Sequence, residues 1–146
     1  MTPSPATQNL LALIGRVLIV VLFLPFGYGA ITNFAGTVKY IGSAGLPMPE
    51  VVGVIAIFVE VVLGLMLLVG YQTRWAALGI LLYTLAAAFV FHAYWDVPAA
   101  QMVAQKTNFL KNMAIAGGLF GILAWGPGAW SLDARRAGTH PQAAAA

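Results

Sequence analysis

Four predominantly apolar runs, each close to twenty residues long, organise this chain. They cover 10–31 (LLALIGRVLIVVLFLPFGYGAI), 50–70 (EVVGVIAIFVEVVLGLMLLVG), 74–92 (RWAALGILLYTLAAAFVFH) and 108–126 (NFLKNMAIAGGLFGILAWG). A run of about 20 apolar residues crosses a bilayer as one helix. Backbone groups in lipid must be bonded within the segment, and no run alternates apolar with polar residues, so these are helices and not barrel strands. The fold class expected is all-α, an integral membrane four-helix bundle. Residues 1–9 read as a polar N-terminal segment, 10–133 as the membrane domain, and 134–146 as a disordered tail.

The connections carry turn chemistry. TNFAGTVKYIGSAGLPMP joins the first two runs, and its prolines sit where a helix start tolerates them. YQT alone joins the second run to the third, which makes them an antiparallel hairpin. AYWDVPAAQMVAQKT joins the third to the fourth. Pro25, Gly27 and Gly29 are expected to kink the first span or to loosen its end. That span is longer than a signal-peptide core, and no basic residue precedes it, so it is not read as a cleaved leader. Gly117 and Gly121 form a GxxxG pair, and Ala56, Glu60 and Gly64 share a face of the second span; both are expected to let helices approach closely.

Composition supports the pattern. Charged residues make up 8% of the chain and hydrophobic ones 61%. An ordinary soluble domain carries roughly 25% charged residues. With no cysteine, disulfides, thiolate nucleophiles and thiolate-held metal or iron–sulfur centres are excluded. Two histidines, His92 and His140, do not make a metal site, and none is expected. The net charge of +3 comes from scattered basic residues, so nucleic acid is not a partner; the bilayer is. An even number of spans places both termini on one face. Arg16, Arg74, Arg135 and Arg136 on that face, against Lys39, Lys106 and Lys111 opposite, favour cytoplasmic termini by one residue.

The informative residues are those a bilayer should exclude, since a central charge costs around 2.5–3.5 kcal/mol to insert. Glu60 is deepest, about ten residues from either end of its span. Arg16 lies near the side of the termini, and Lys111, flanked by Asn108 and Asn112, enters from the other side with His92. An Arg16–Glu60–Lys111 line through the bundle is expected, and two readings of it stand. One is a buried site for a ligand or protons. The other is an ion pair that fixes helix register. Arg16 alone also fits snorkelling to the interface. Tyr94 and Trp95, beside His92 in FHAYWD, read as a mouth feature.

Gly15-Arg16, FAGT…Y…GLPMP, Glu60, GYQTR, FHAYW, FLKN and GPGAWSLD occur in that order. Together they resemble the DoxX family of small four-helix bacterial membrane proteins, over about residues 10–133. The resemblance points to Gly15, Arg16, Glu60, Arg74, His92, Lys111, Asn112 and the 126–133 segment. It departs at Gly27-Tyr28-Gly29-Ala30, where many relatives carry a lysine at the end. It implies a redox-associated protein of the bacterial inner membrane that works with partner proteins. In that reading Glu60, His92 and Lys111 are the catalytic candidates. Arg16, His92, Tyr94, Trp95, Lys111 and Asn112 are the candidates for holding a quinone. His92 and Lys111 would donate to the quinone, Tyr94 or Trp95 would pack its ring, and Glu60 would relay protons. The competing readings are a non-enzymatic scaffold or assembly factor and, further behind, a small transporter acting as a homo-oligomer.

Overall fold

The computed structural model describes residues 3–139, and all regular structure among them is helical. The first long helix, α1, spans Pro5–Thr32. Ser4 caps it, its hydroxyl accepting from the Thr7 amide at 3.2 Å, and Pro5 fills the first turn, where no N–H is needed. Capping thus carries the helix out past the apolar run, into the segment expected to be merely polar. The helix is continuous through Pro25 as far as Thr32, so no loose end forms.

A short helix, α2 (Phe34–Ser43), stands where an irregular connection was expected. Asn33 ends one helix and begins the next. Its N–H bonds Gly29 O at 2.9 Å, and its side chain accepts from the Gly36 amide at 3.2 Å. The second span is α3 (Pro49–Val69), whose middle, Phe58–Leu63, is wound as a π-helix around Glu60. It ends at Gly70 in the left-handed conformation, φ 71. Tyr71 N–H reaches back to Met66 O, and Gly70 N–H to Leu67 O, the two bonds of a glycine-terminated helix. The hairpin partner α4 (Thr73–Phe91) follows at once. A single 3₁₀ turn (Tyr94–Asp96) leads to α5 (Ala99–Trp125).

Among the described residues, three helical stretches are long and apolar enough to cross a membrane: Pro5–Thr32, Pro49–Val69 and Thr73–Asp96. The fourth expected run, 108–126, lies in the later two thirds of α5, where Asn108, Lys111 and Asn112 leave it less apolar than the other three. This helix packs extensively along α4. The core joins Val20, Phe23, Val59, Leu67, Ile80 and Leu119 around small residues of α4, Ala76 and Ala77. Large apolar side chains such as Leu18, Val21, Leu82 and Phe120 face outward. That outer surface needs hydrocarbon as its solvent.

Glycines mark where helices touch. A Cβ at Gly27 would come within 2.5 Å of Val61 and 3.0 Å of the Glu60 Cβ, so α1 meets the π segment there. Gly64 likewise faces Leu24 and Phe23. The GxxxG pair does not make the approach expected of it. Nothing lies within 4 Å of a Cβ at Gly117, and Gly121 faces only Trp125 of its own helix.

The tail expected to be disordered from 134 is helical as far as the described residues go. The short helix α6 (Leu132–Thr139) starts with the Ala134 amide bonded to Ser131 Oγ at 3.2 Å. Residues 140–146, and with them His140, lie outside the described residues.

Candidate functional site

The polar residues of the bundle divide between its two ends. At the end where the termini lie, the segment between α5 and α6 is tied down as a strap. Asn9 Oδ1 accepts from the Ala129 amide at 2.8 Å, and Gly128 leaves only room for hydrogen against Ala12. Asp133 accepts from Gln72 N at 2.8 Å, Thr73 N at 2.9 Å and Thr73 Oγ1 at 2.7 Å. It therefore caps α4 from a distant part of the chain, taking N–H groups that no residue local to that helix start accepts. Partial burial works to raise the Asp133 carboxyl. The bonds from Thr73 and Gln72 and the charge of Arg136 outweigh it, and the group stays ionised below the ordinary Asp range.

Arg16 belongs to this strap. It is fully buried and donates to Leu68 O at 3.0 Å and to Trp130 O. The Leu68 carbonyl is one of those a helix C-terminus leaves unpaired, and a cation is favoured there. That is why the side chain turns toward the end of α3 and not toward its middle. The Arg16–Glu60–Lys111 line is accordingly not formed: Glu60 is bonded by Tyr83, and Lys111 by Asn108 Oδ1 at 3.3 Å. Arg16 lines no part of the cavity described next.

A cavity of about 590 Å³ opens among α1, α2, α3, α4 and α5. Its apolar wall includes Leu22, Phe23, Phe26 and Ile41, and its polar lining includes Glu60, Tyr83, His92, Lys111 and Asn112. Ala30, where the resemblance departs, adds an apolar surface. Glu60 is 9% exposed and sits on the π segment, whose wider turn sets its side chain toward α4. Tyr83 donates its hydroxyl to Glu60 Oε1 at 2.6 Å. Asn112 is 7% exposed, and its carboxamide has no partner among the described residues. His92 Nδ1 lies 2.8 Å from Gln105 Oε1. An amide oxygen only accepts, so Nδ1 holds a proton and Nε2 is left for another partner.

The structure thus brings four of the expected site residues, Glu60, His92, Lys111 and Asn112, to one cavity. Tyr94 and Trp95 do not line it. They form an edge-to-face cluster with Phe109, with centroids 5.6 Å apart in both cases, that braces the α4–α5 turn. The aromatic pair at the cavity is instead Tyr40 of α2 stacked on Phe91, with centroids 5.2 Å apart and planes 17° apart. Tyr83 was not among the expected residues. Its signal is the hairpin itself, since Glu60 and Tyr83 lie equally far on either side of the turn at 71–72.

Lipid-facing apolar helices around a cavity with a polar end define a helical integral membrane protein with a candidate site for a membrane-soluble ligand. The DoxX family model matches residues 11–93, and this chain belongs to the DoxX family. It is 38% identical over 130 residues to inner membrane protein YphA of Escherichia coli (strain K12), covering 89% of this chain and 93% of that one. It is 36% identical over 124 residues to inner membrane protein YqjF of the same organism, covering 83% and 88%. No solved structure matches it significantly.

Proposed function

We propose that this protein is a quinone-interacting component of a redox system in the bacterial inner membrane, with its termini in the cytoplasm and partner proteins supplying electrons. The observation that carries this is the cavity, where apolar walls meet a buried carboxylate, an amide that bonds no other protein group, an imidazole and an ammonium group. Binding sites for small lipophilic molecules have this make-up: a mostly apolar lining of several hundred Å³ with a few polar groups to orient the ligand. The Asn112 amide faces the cavity with no protein partner, so its bonding capacity is free for a ligand.

The residues fit a quinone ring by donor chemistry. Asn112 and Lys111 offer N–H donors to a carbonyl oxygen, and the stacked Tyr40 and Phe91 give a flat aromatic edge beside them. A bound quinone would supply the electron-carrying chemistry, since no side chain here can. The chain's own part is to orient the ring, exclude water and hold protons. Glu60 and Tyr83, already joined by a hydrogen bond, and His92 with its free Nε2 are the groups that would hold them.

The test is to purify the protein in mild detergent, extract it with solvent and quantify quinone by chromatography and mass spectrometry. His92→Ala, Lys111→Ala and Asn112→Leu would be run beside it. Stoichiometric quinone, lost in the variants, is the expected result. No quinone, and none taken up on adding it back, would overturn the proposal in favour of a non-enzymatic scaffold.

A further inference from the structure

A second concavity lies on the outer, lipid-facing side of the α3–α4 hairpin. It is a groove of about 410 Å³. On α4 it is lined by Gly79, Leu82, Ala86 and Val90, and on α3 by Ile55 and Val59. The α4 residues recur at three- and four-residue spacing, so they form one stripe along the helix. The groove owes its depth to the small side chains at 79 and 86. All its lining is apolar except the Tyr83 hydroxyl, which already donates to Glu60.

The groove and the cavity adjoin. Val52, Tyr83, Ala87 and Phe91 line both. Tyr83 and Ala87 stand at the border of two neighbouring stripes on α4, one facing inward and one facing lipid. From the wall between them, the Tyr83 hydroxyl reaches the carboxylate that lines the cavity.

A ring held at the polar end of the cavity must send any attached chain out through an apolar path. His92, Asn108 and Lys111 make one side of the mouth polar. Apart from the Tyr83 hydroxyl the groove is apolar, and it meets the cavity at Val52 and Phe91, beside the mouth at His92. From this continuity we infer that the α3–α4 groove is a binding subsite for the long hydrocarbon tail of the ligand whose ring occupies the cavity. The ligand class is therefore an amphiphile with a compact polar ring and one extended apolar chain. The inference rests on the quinone reading above. It adds where the tail lies and which residues select for it.

The test uses a decyl-tailed benzoquinone with a diazirine on the last carbon of its tail, added to the full-length protein in nanodiscs and irradiated. Labelled peptides are mapped by mass spectrometry, with and without excess decyl benzoquinone that lacks the diazirine. The expected result is competable labelling on Leu82, Ala86 or Val90, or on Ile55 across the groove. Ala86→Trp fills the groove from an exposed position and so spares the fold. It should lose that label while a tail-less quinone still binds. Competable labelling confined to α1, α2 or α5 would overturn the tail subsite and leave the quinone reading standing. Labelling of the groove that excess quinone does not reduce would mean ordinary lipid-like partitioning and would also overturn it. No competable labelling anywhere would overturn the quinone reading, and the tail subsite with it.

Discussion

The two ends of this bundle treat buried polar groups in opposite ways. At the strap, the hydrogen-bonding groups are mostly matched: Asp133 to three donors, Arg16 to two carbonyls, Asn9 to one amide. A single mismatch remains there, the Arg16 Nε, which alone among the buried side-chain polar atoms of the described residues has no partner. At the cavity, Asn112 has no partner, Glu60 Oε2 is left over beside the bonded Oε1, and His92 uses one ring nitrogen. Buried polar groups in folded proteins are normally satisfied. The strap's bonds are what stability alone produces, whereas the cavity's spare bonding capacity is accessible and open to a ligand. The comparison predicts that mutations at the strap cost stability and spare binding, while mutations at the cavity do the reverse.

The strap should give the largest effects. Asp133→Ala leaves Gln72 N, Thr73 N and the buried Thr73 hydroxyl without their acceptor. At about 1–3 kcal/mol for an unsatisfied buried group, with the amide of exposed Gln72 adding little, the loss should be about 2–4 kcal/mol. Arg16→Met should cost a similar amount by stranding the Leu68 and Trp130 carbonyls. Thermal unfolding in detergent checks both. Quinone content per folded molecule should be unchanged; if it fell with the strap intact elsewhere, the two ends would not be separable.

Gly27→Leu comes next, because it strikes the point where α1 meets the π segment. Its side chain would collide with Val61 and the Glu60 Cβ. Overpacking of this kind typically costs about 1–3 kcal/mol. It should also move Glu60, so this one variant is expected to lose stability and quinone together. A stable Gly27→Leu protein with normal quinone content would show that the close approach is not required.

A smaller effect follows from Asp133 titration. Its folded-state pKa lies below the unfolded value, so the unfolded chain takes up protons first as pH falls. The stabilisation is complete above roughly pH 4, the ordinary Asp range, and is lost as pH falls through the lower folded value. Melting temperature should therefore drop in that acid window for the wild type. It should drop less for Asp133→Asn, which starts lower. Equal slopes in the two proteins would place the acid sensitivity in another group.

How much of this was readable in the sequence differs between the ends as well. The apolar runs gave the hairpin helices α3 and α4 to within a residue at each end, because the bilayer leaves one solution for a twenty-residue apolar segment, whereas α1 and α5 begin at Pro5 and Ala99, well before their runs at 10 and 108. Cavity residues His92, Lys111 and Asn112 were legible because polar groups near a span end on one face of the membrane must be close together. Arg16 was misassigned because depth along the axis says nothing of direction, and a free helix C-terminus outcompeted a carboxylate. The α2 helix was hidden by its glycines, although Asn33 is a good cap. The π segment had no visible signal: one residue of excess winding leaves no mark on an apolar run. The fate of Gly117 and Gly121 was also unreadable, since spacing shows that helices can approach and not that they do.

The smallest expected change in stability is the sharpest test of the comparison, because binding should fall while the fold is spared. Asn112→Leu replaces an amide of nearly the same volume that has no bond to lose among the described residues. The amide opens onto the cavity and bonds no protein group, so the leucine should leave stability within about 0.5 kcal/mol of the wild type. At the same time it removes a donor from the cavity, and quinone content should fall. A residue kept for the fold cannot behave this way, since removing it would weaken the fold. If Asn112→Leu instead destabilised the protein as Asp133→Ala does, the carboxamide would be serving the bundle, and the cavity would lose its claim to be the site. Measured side by side by melting temperature and extracted quinone, these two substitutions separate a polar group that holds the structure from one that waits for a ligand.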